Sequence, residues 1–97
     1  MEKRLDPKDP YLQDAYKCLI DDQNYRIIYH ILHKLGQRRT DQNYNDMYQE
    51  GCFAFVAGYV DFRHKFPDKW EQPDGLSKCI SYIFRRVWFR LLDQLKH

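Results

Sequence analysis

Four cations and two aromatic rings fall on one outward face near the end of this chain. At 100° per residue, Lys78, Tyr82, Arg85, Arg86, Phe89 and Lys96 project to the same side of a helix. Binding of single-stranded nucleic acid needs this pairing. Cations track the phosphates, while rings stack on bases of any sequence at roughly 1–3 kcal/mol per base. The bland alternative is a solvated basic face whose rings touch a neighbouring loop. Just upstream, Arg63, His64, Lys65, Phe66, Lys69 and Trp70 lie in a proline-broken segment. Such a long connection is often functional or mobile. There Phe66 and Trp70 either plug the core or help to cradle an unstacked base.

A second face has the opposite character. Asp46, Gln49, Glu50, Phe53 and Ala57 gather on one side of the preceding helix. A phenyl ring among acids on a solvent side is either a stray exposed aromatic or a docking patch. In the second case the ring is an apolar anchor, and the acidic rim is aimed at a basic partner.

Other chemistry finds no footing. His30 and His33 are spaced to chelate a metal from one helix, but no Cys or carboxylate completes a motif and HExxH is absent. Nucleotide-loop and nucleophile-elbow strings are absent too. Cys18, Cys52 and Cys79 stand far apart without a CxxC, so neither a disulfide framework nor a zinc knuckle fits, and core packing is the better reading. We therefore expect a binding module rather than an enzyme, with no cofactor and no metal. Free thiols point to a reducing compartment, the cytoplasm. The charged start MEKRLDPKDP is not a signal peptide, and no apolar run approaches the ~20 residues of a membrane span.

The elements that must carry these faces are helices. Residues 1–10, with Pro7 and Pro10, read as a tail. A short helix is expected from Tyr11 to Ile20, with Asp21, Asp22 and Asn24 offering caps to the next one. Apolar residues at 27, 28, 31, 32 and 35 have helical spacing, and Gly36 is a stop signal. A third helix should run from about Asn45 to Phe62, burying Tyr44, Met47, Tyr48, Gly51, Phe55, Gly58, Tyr59 and Phe62. Its two glycines should admit a neighbouring helix closely. Pro67, Pro73 and Gly75 break the chain into a loop over 63–75. A last helix, from about Gly75 to Lys96 with Asp74 as its cap, should bury Leu76, Ile80, Ile83, Phe84, Val87, Leu91 and Leu95. No strand pattern or repeat is visible. The expected fold is all-α, a small bundle of about four helices formed by one domain over residues 11–97.

Charge divides the chain. The 97 residues carry a net +2, yet residues 1–62 sum to −2 and residues 63–97 to +4. Such asymmetry points to two partners of different kinds.

At Asp46–Met47–Tyr48–Gln49–Glu50–Gly51 the sequence resembles the D-L-x-Q-E-G signature of region 2 in the sigma-70 family of bacterial RNA polymerase sigma factors. The continuation CFAFVAGYVDF follows that pattern to Phe62. Tyr82–Arg85 and Arg90–Leu95 resemble the W-L-Y-R-I-A-R-N-R-L-L-D-Y-L string of small alternative sigma factors, and Arg26–Gly36 resembles the helix before the signature. The resemblance spans roughly residues 11–97. It implies a region 2-like helical domain with two tasks. Asp46, Gln49, Glu50 and Phe53 would dock on the clamp helices of the largest core subunit of RNA polymerase. Lys69, Trp70, Lys78, Tyr82, Arg85, Arg86 and Phe89 would hold the non-template single strand of the −10 promoter element. An anti-sigma factor is a further partner the resemblance implies.

The match has departures. Where housekeeping members have F-S-T-Y-A-x-W-W, this chain reads Leu76–Ser77–Lys78–Cys79–Ile80–Ser81–Tyr82–Ile83, so most of the aromatic wall is missing. Alternative and competence-type members are the closer pattern, and a base-flipping loop would suit Trp70. The helix-turn-helix of complete sigma factors is absent, so the chain reads as a fragment of a longer protein, with a free-standing module as the alternative. Two rival functions remain beside promoter recognition. One is a protein-interaction module without DNA contact, such as a sigma-like regulator. The other is a helical nucleic-acid binder that never touches polymerase.

Overall fold

The structure, a computed structural model, describes residues 5–96; residues 1–4 of the expected tail and His97 lie outside the described residues. All regular structure among the described residues is helical: α1 (Leu12–Ile20), α2 (Tyr25–Lys34), α3 (Tyr44–Lys65), α4 (Pro67–Trp70) and α5 (Gly75–Leu95). The four long helices match the expected bundle. The one-turn α4 is an addition within the expected loop.

Each boundary has a local cause. Gly36, at φ 78°, closes α2: its N–H donates to the His33 carbonyl, and the Gln37 N–H donates to that of Leu32. This is the Schellman arrangement, and it needs a left-handed residue at Gly36. α3 runs three residues past the expected Phe62. Arg63, His64 and Lys65 form its last turn, where cations favour the helix dipole. It stops because Pro67 disfavours helical geometry at Phe66, whose φ and ψ are −129° and 54°. Pro67 itself opens α4, where its missing N–H costs nothing.

Two expected caps act elsewhere. The Asn24 side chain makes no cap to α2; its amide donates to the Cys18 carbonyl at 2.8 Å and so finishes α1. Asp74 makes no cap to α5, and its carboxylate meets Lys78 Nζ at 3.5 Å instead. Among the described residues the segment before α1 has no regular helix and is tied down. Asp9 accepts the Tyr11 N–H and meets His64 Nε2 at 2.7 Å, and Leu5 packs on the core.

α3 is the centre of the bundle, packed on α1, α2 and α5. Its burial is therefore wider than one stripe. Met47, Gly51, Phe55, Gly58, Tyr59 and Phe62 are buried as expected, and Ala54, Val56 and Val60 join them. Tyr44 and Tyr48 are only half-buried. α5 lies antiparallel to α3, with Arg86 beside Asp61 and Arg90 beside Glu50. Its buried line is Gly75, Cys79, Ile83, Val87 and Leu91. A spacing of four advances 40° around the helix at each step. The line therefore begins against α4 and ends against α2 and α3. That winding corrects the expected stripe: Leu76 and Leu95 are 52% and 41% exposed, and Ile80 and Phe84 are half-buried.

Two glycines let backbones meet. A Cβ on Gly51 would stand 2.6 Å from Ile28 Cγ2, so α2 and α3 approach closely there. A Cβ on Gly75 would lie 2.0 Å from the Trp70 carbonyl oxygen, so α5 starts directly against the end of α4.

Candidate nucleic-acid and docking faces

α5 presents Lys78, Ser81, Tyr82 and Arg85 toward the end of α3 and α4, which present Phe62, Phe66 and Lys69. Together they line a surface cleft of about 420 Å³. Four expected nucleic-acid residues thus share one site: Lys69, Lys78, Tyr82 and Arg85. Tyr82 is not a free ring. It packs against Phe62 at 5.6 Å and Phe66 at 5.9 Å between centroids, so the cleft has a three-ring wall. Lys69 Nζ sits 4.7 Å from the Phe66 centroid. Lys78 donates to the Gln72 side-chain carbonyl. Arg85 is exposed and has no ion-pair partner among the described residues, which leaves it free for a phosphate.

Asp61 sits at the edge of this wall. Its Oδ2 accepts from Tyr82 Oη at 2.6 Å and from Arg86 Nη1 at 2.7 Å, and Lys65 Nζ stands 3.2 Å away. Burial alone would push the Asp61 carboxyl up. The hydrogen bonds from Tyr82, Lys65 and Arg86, with the Arg86 charge, outweigh it and hold the group below its ordinary value. Burial pushes the Tyr82 phenol up, and accepting Asp61 adds to that. Tyr82 is therefore a neutral donor at physiological pH. Sequence reasoning missed Asp61, because a single acid between Val60 and Phe62 carries no pattern.

The remaining expected residues divide. Arg86 and Phe89 line a separate groove of about 440 Å³ with Ala54, Ala57, Arg90, Leu92, Asp93 and Lys96. Phe89 is 64% exposed, the most open of the large apolar side chains among the described residues. Arg86 is engaged by Asp61, so its charge is already partly answered. Trp70 stands apart from the cleft and packs on the fold, the first of the two readings its position allowed. Its ring meets Tyr59 edge-on at 5.6 Å, and the Arg63 guanidinium lies 4.1 Å from it and 4.4 Å from Tyr11. Arg63 also donates to Tyr59 Oη at 3.0 Å. The physical reason is the close contact between α4 and Gly75, which turns this short helix onto the bundle.

The acidic end of α3 keeps its expected residues together. Asp46, Gln49, Glu50 and Phe53 line a groove of about 710 Å³ with Met47, Gln37, Asn43, Gln94 and Leu95. Phe53 is 37% exposed, and Leu95 adds a second apolar side chain beside it. Glu50 differs from expectation, because Arg90 Nε and Nη2 both donate to its Oε2. The two faces thus adjoin along the α3–α5 pair, with Arg90 of the basic helix bound to the acidic one.

Cys18 and Cys79 are buried and Cys52 is half-buried. Burial raises all three thiols, Cys79 to about 12, which leaves them protonated and poorly nucleophilic. Among the described residues no group of three or more His, Cys, Asp or Glu side chains is placed to hold a metal. Among the same residues no helix is long and apolar enough to cross a membrane.

No protein-family model matches this chain. Comparison with curated proteins and with solved structures also finds no match.

Proposed function

We propose that this domain is a transcription-initiation module, without catalytic activity of its own, that acts in the cytoplasm. It grips one strand of melted promoter DNA with the α5 side and docks on RNA polymerase with the acidic end of α3. The observation that carries the reading is the outward phase of two phenyl rings. Phe53 stands beside Asp46 and Glu50, and Phe89 stands beside Arg86, Arg90 and Lys96. Bases of the strand stack at the half-buried Phe66 and Tyr82 rings, which the buried Phe62 backs, and at Phe89, while Arg85 and Lys69 answer phosphates. Phe53 and Leu95 anchor a basic helical partner, and Asp46 and Glu50 set its register. The D-M-Y-Q-E-G string and the Arg90–Leu95 string support polymerase clamp helices as that partner and a −10 non-template strand as the ligand.

A specific observation favours the rival module without DNA contact. Asp61 holds Tyr82 and Arg86, and Glu50 holds Arg90, so much of the basic helix is internally neutralised. One experiment separates the readings: capture of bacterial core polymerase by the immobilised chain, then addition of a labelled −10 non-template oligonucleotide. Capture with retention of the oligonucleotide is expected. Capture without it favours the rival. Retention without capture leaves a nucleic-acid binder alone, and failure of both ends the proposal.

A further inference from the structure

Between Asp22 and Asp41 the chain has no carboxylate, although residues 1–62 are acidic overall. The same stretch carries Arg26, His30, His33, Lys34, Arg38 and Arg39, and every one of them is exposed. The first four share one side of α2 by helical spacing. The two arginines follow immediately after the turn at Gly36. Arg26, Lys34, Arg38 and Arg39 have no ion-pair partner among the described residues. The nearest acid in sequence, Asp41, is turned to the backbone, where its Oδ2 accepts the Arg38 N–H at 2.7 Å.

Rings stand beside this strip. Tyr29 stacks on Tyr48 at 4.6 Å with 14° between planes, and Tyr44 is nearly parallel to Tyr29 at 6.4 Å. The Arg39 guanidinium lies 5.7 Å from the Tyr29 centroid. Tyr29, His33, Gln37, Arg38, Arg39 and Tyr44 line a small pocket of about 270 Å³. Its walls are thus parallel phenols, two guanidinium groups and an imidazole.

We propose that α2 and the turn after it form a second binding site for single-stranded nucleic acid. One base enters the pocket against Tyr44 and Tyr29. Arg38 and Arg39 answer its phosphate, and Lys34 and Arg26 carry the backbone along α2. Three features decide the ligand class. Cations without an ion-pair partner, with the one adjacent carboxylate, Asp41, held on the backbone, call for a polyanion. Nearly parallel rings at the pocket call for a flat aromatic group, which a nucleotide has and an acidic peptide need not have. None of the exposed large apolar side chains lies on α2, so the strip has no wedge for a lipid surface. The site shares no residue with the α5 cleft and does not rest on the reading of that cleft.

The test uses the full 97-residue chain and fluorescein-labelled oligothymidylate, with affinity read by anisotropy across a salt series. Arg38→Ala/Arg39→Ala is expected to lower the salt slope by about 1.4 units, from two contacts at ~0.7 each on a single strand. Tyr44→Ala should weaken binding roughly fivefold or more, and Tyr44→Phe, which keeps the ring, should not. Far-ultraviolet circular dichroism checks that each variant is folded. A folded double-arginine variant with an unchanged slope overturns the site, whatever Tyr44 does. Arg85→Ala is run alongside. Loss with Arg85→Ala alone overturns this site and spares the α5 cleft. Loss with the double variant alone does the reverse, and wild-type chain that ignores the oligonucleotide ends both.

Discussion

Arg90, on the cationic helix, is committed to Glu50, on the acidic one. Its Nε and Nη2 donate to the same carboxylate oxygen at 3.1 and 3.0 Å. A basic partner that docked at the acidic end of α3 would compete with Arg90 for that carboxylate. Docking would then draw Glu50 away from Arg90, at the edge of the groove that holds Phe89.

Glu50→Gln should therefore strengthen binding of a single-stranded oligonucleotide, because it removes a carboxylate from beside the cationic groove. Asp46→Asn makes the same change in net charge away from Arg90, so it is the control. Equal effects from the two variants would reduce the gain to overall charge. Stability should move by less than about 1 kcal/mol, because both partners of the pair are partly open to water. Anisotropy and urea unfolding read the two quantities separately.

Gly51→Ala should destabilise the fold by about 1–2 kcal/mol. The new methyl would stand 2.6 Å from Ile28 Cγ2, and Ile28 is fully buried and β-branched, so it cannot rotate away freely. The helix-propensity gain of up to ~1 kcal/mol offsets part of the clash. Ile28→Ala alone should cost about 2–5 kcal/mol. The double variant should cost less than the two singles together, because removing Cγ2 makes room for the methyl. Strict additivity in urea unfolding would show that α2 and α3 do not press together at this point.

The acid side of the stability profile should depend on Asp61. Burial raises this carboxyl, but hydrogen bonds from Tyr82, Lys65 and Arg86 reverse the effect and leave it below its unfolded value. A group of this kind contributes stability that is full above the unfolded value, near pH ~4. That contribution is lost as pH falls through the lower, folded value. Asp61→Asn should cost about 1 kcal/mol at pH 7 and should lose less than wild type on acidification below about pH 4. Parallel profiles for the two proteins would show that Asp61 titrates alike folded and unfolded.

Much of this arrangement was legible from spacing, and the failures share a cause. The acidic and basic faces of α3 and α5 follow directly from a 100° wheel, and Phe53 and Phe89 project outward as the wheel requires. The stop at Gly36 and the break before Pro67 are local chemistry, readable one residue at a time. Leu76 and Leu95 lie outside the core because a single straight stripe does not describe α5. Its buried line winds, since α4 covers one end and α2 the other, and that information is tertiary. Arg90 and Asp61 were missed as partners for the same reason. Each pairs with a residue 21 to 40 positions away, at a distance no periodicity reveals. Asn24 and Asp74 occupy cap positions, but their side chains found other acceptors and donors nearby.

Trp70 and Phe89 should separate structure from binding. Trp70 is half-buried, with Tyr59 at its edge and the Arg63 guanidinium on its face. Trp70→Ala removes a large packed ring and should cost roughly 3 kcal/mol of stability. Oligonucleotide affinity, measured where the variant is still folded, should change little. Phe89 is mostly open to water and lines a groove with Arg86, Arg90 and Lys96. Phe89→Ala should leave stability within about 0.5 kcal/mol and weaken binding roughly fivefold or more through the lost stacking surface. Phe89→Leu discriminates further, because it keeps apolar area but not the ring face. Stacking predicts that leucine behaves like alanine, whereas a merely apolar contact predicts recovery. The opposite pattern, with Trp70→Ala impairing binding in a fold of normal stability, would place the base-binding ring on α4 and remove it from α5.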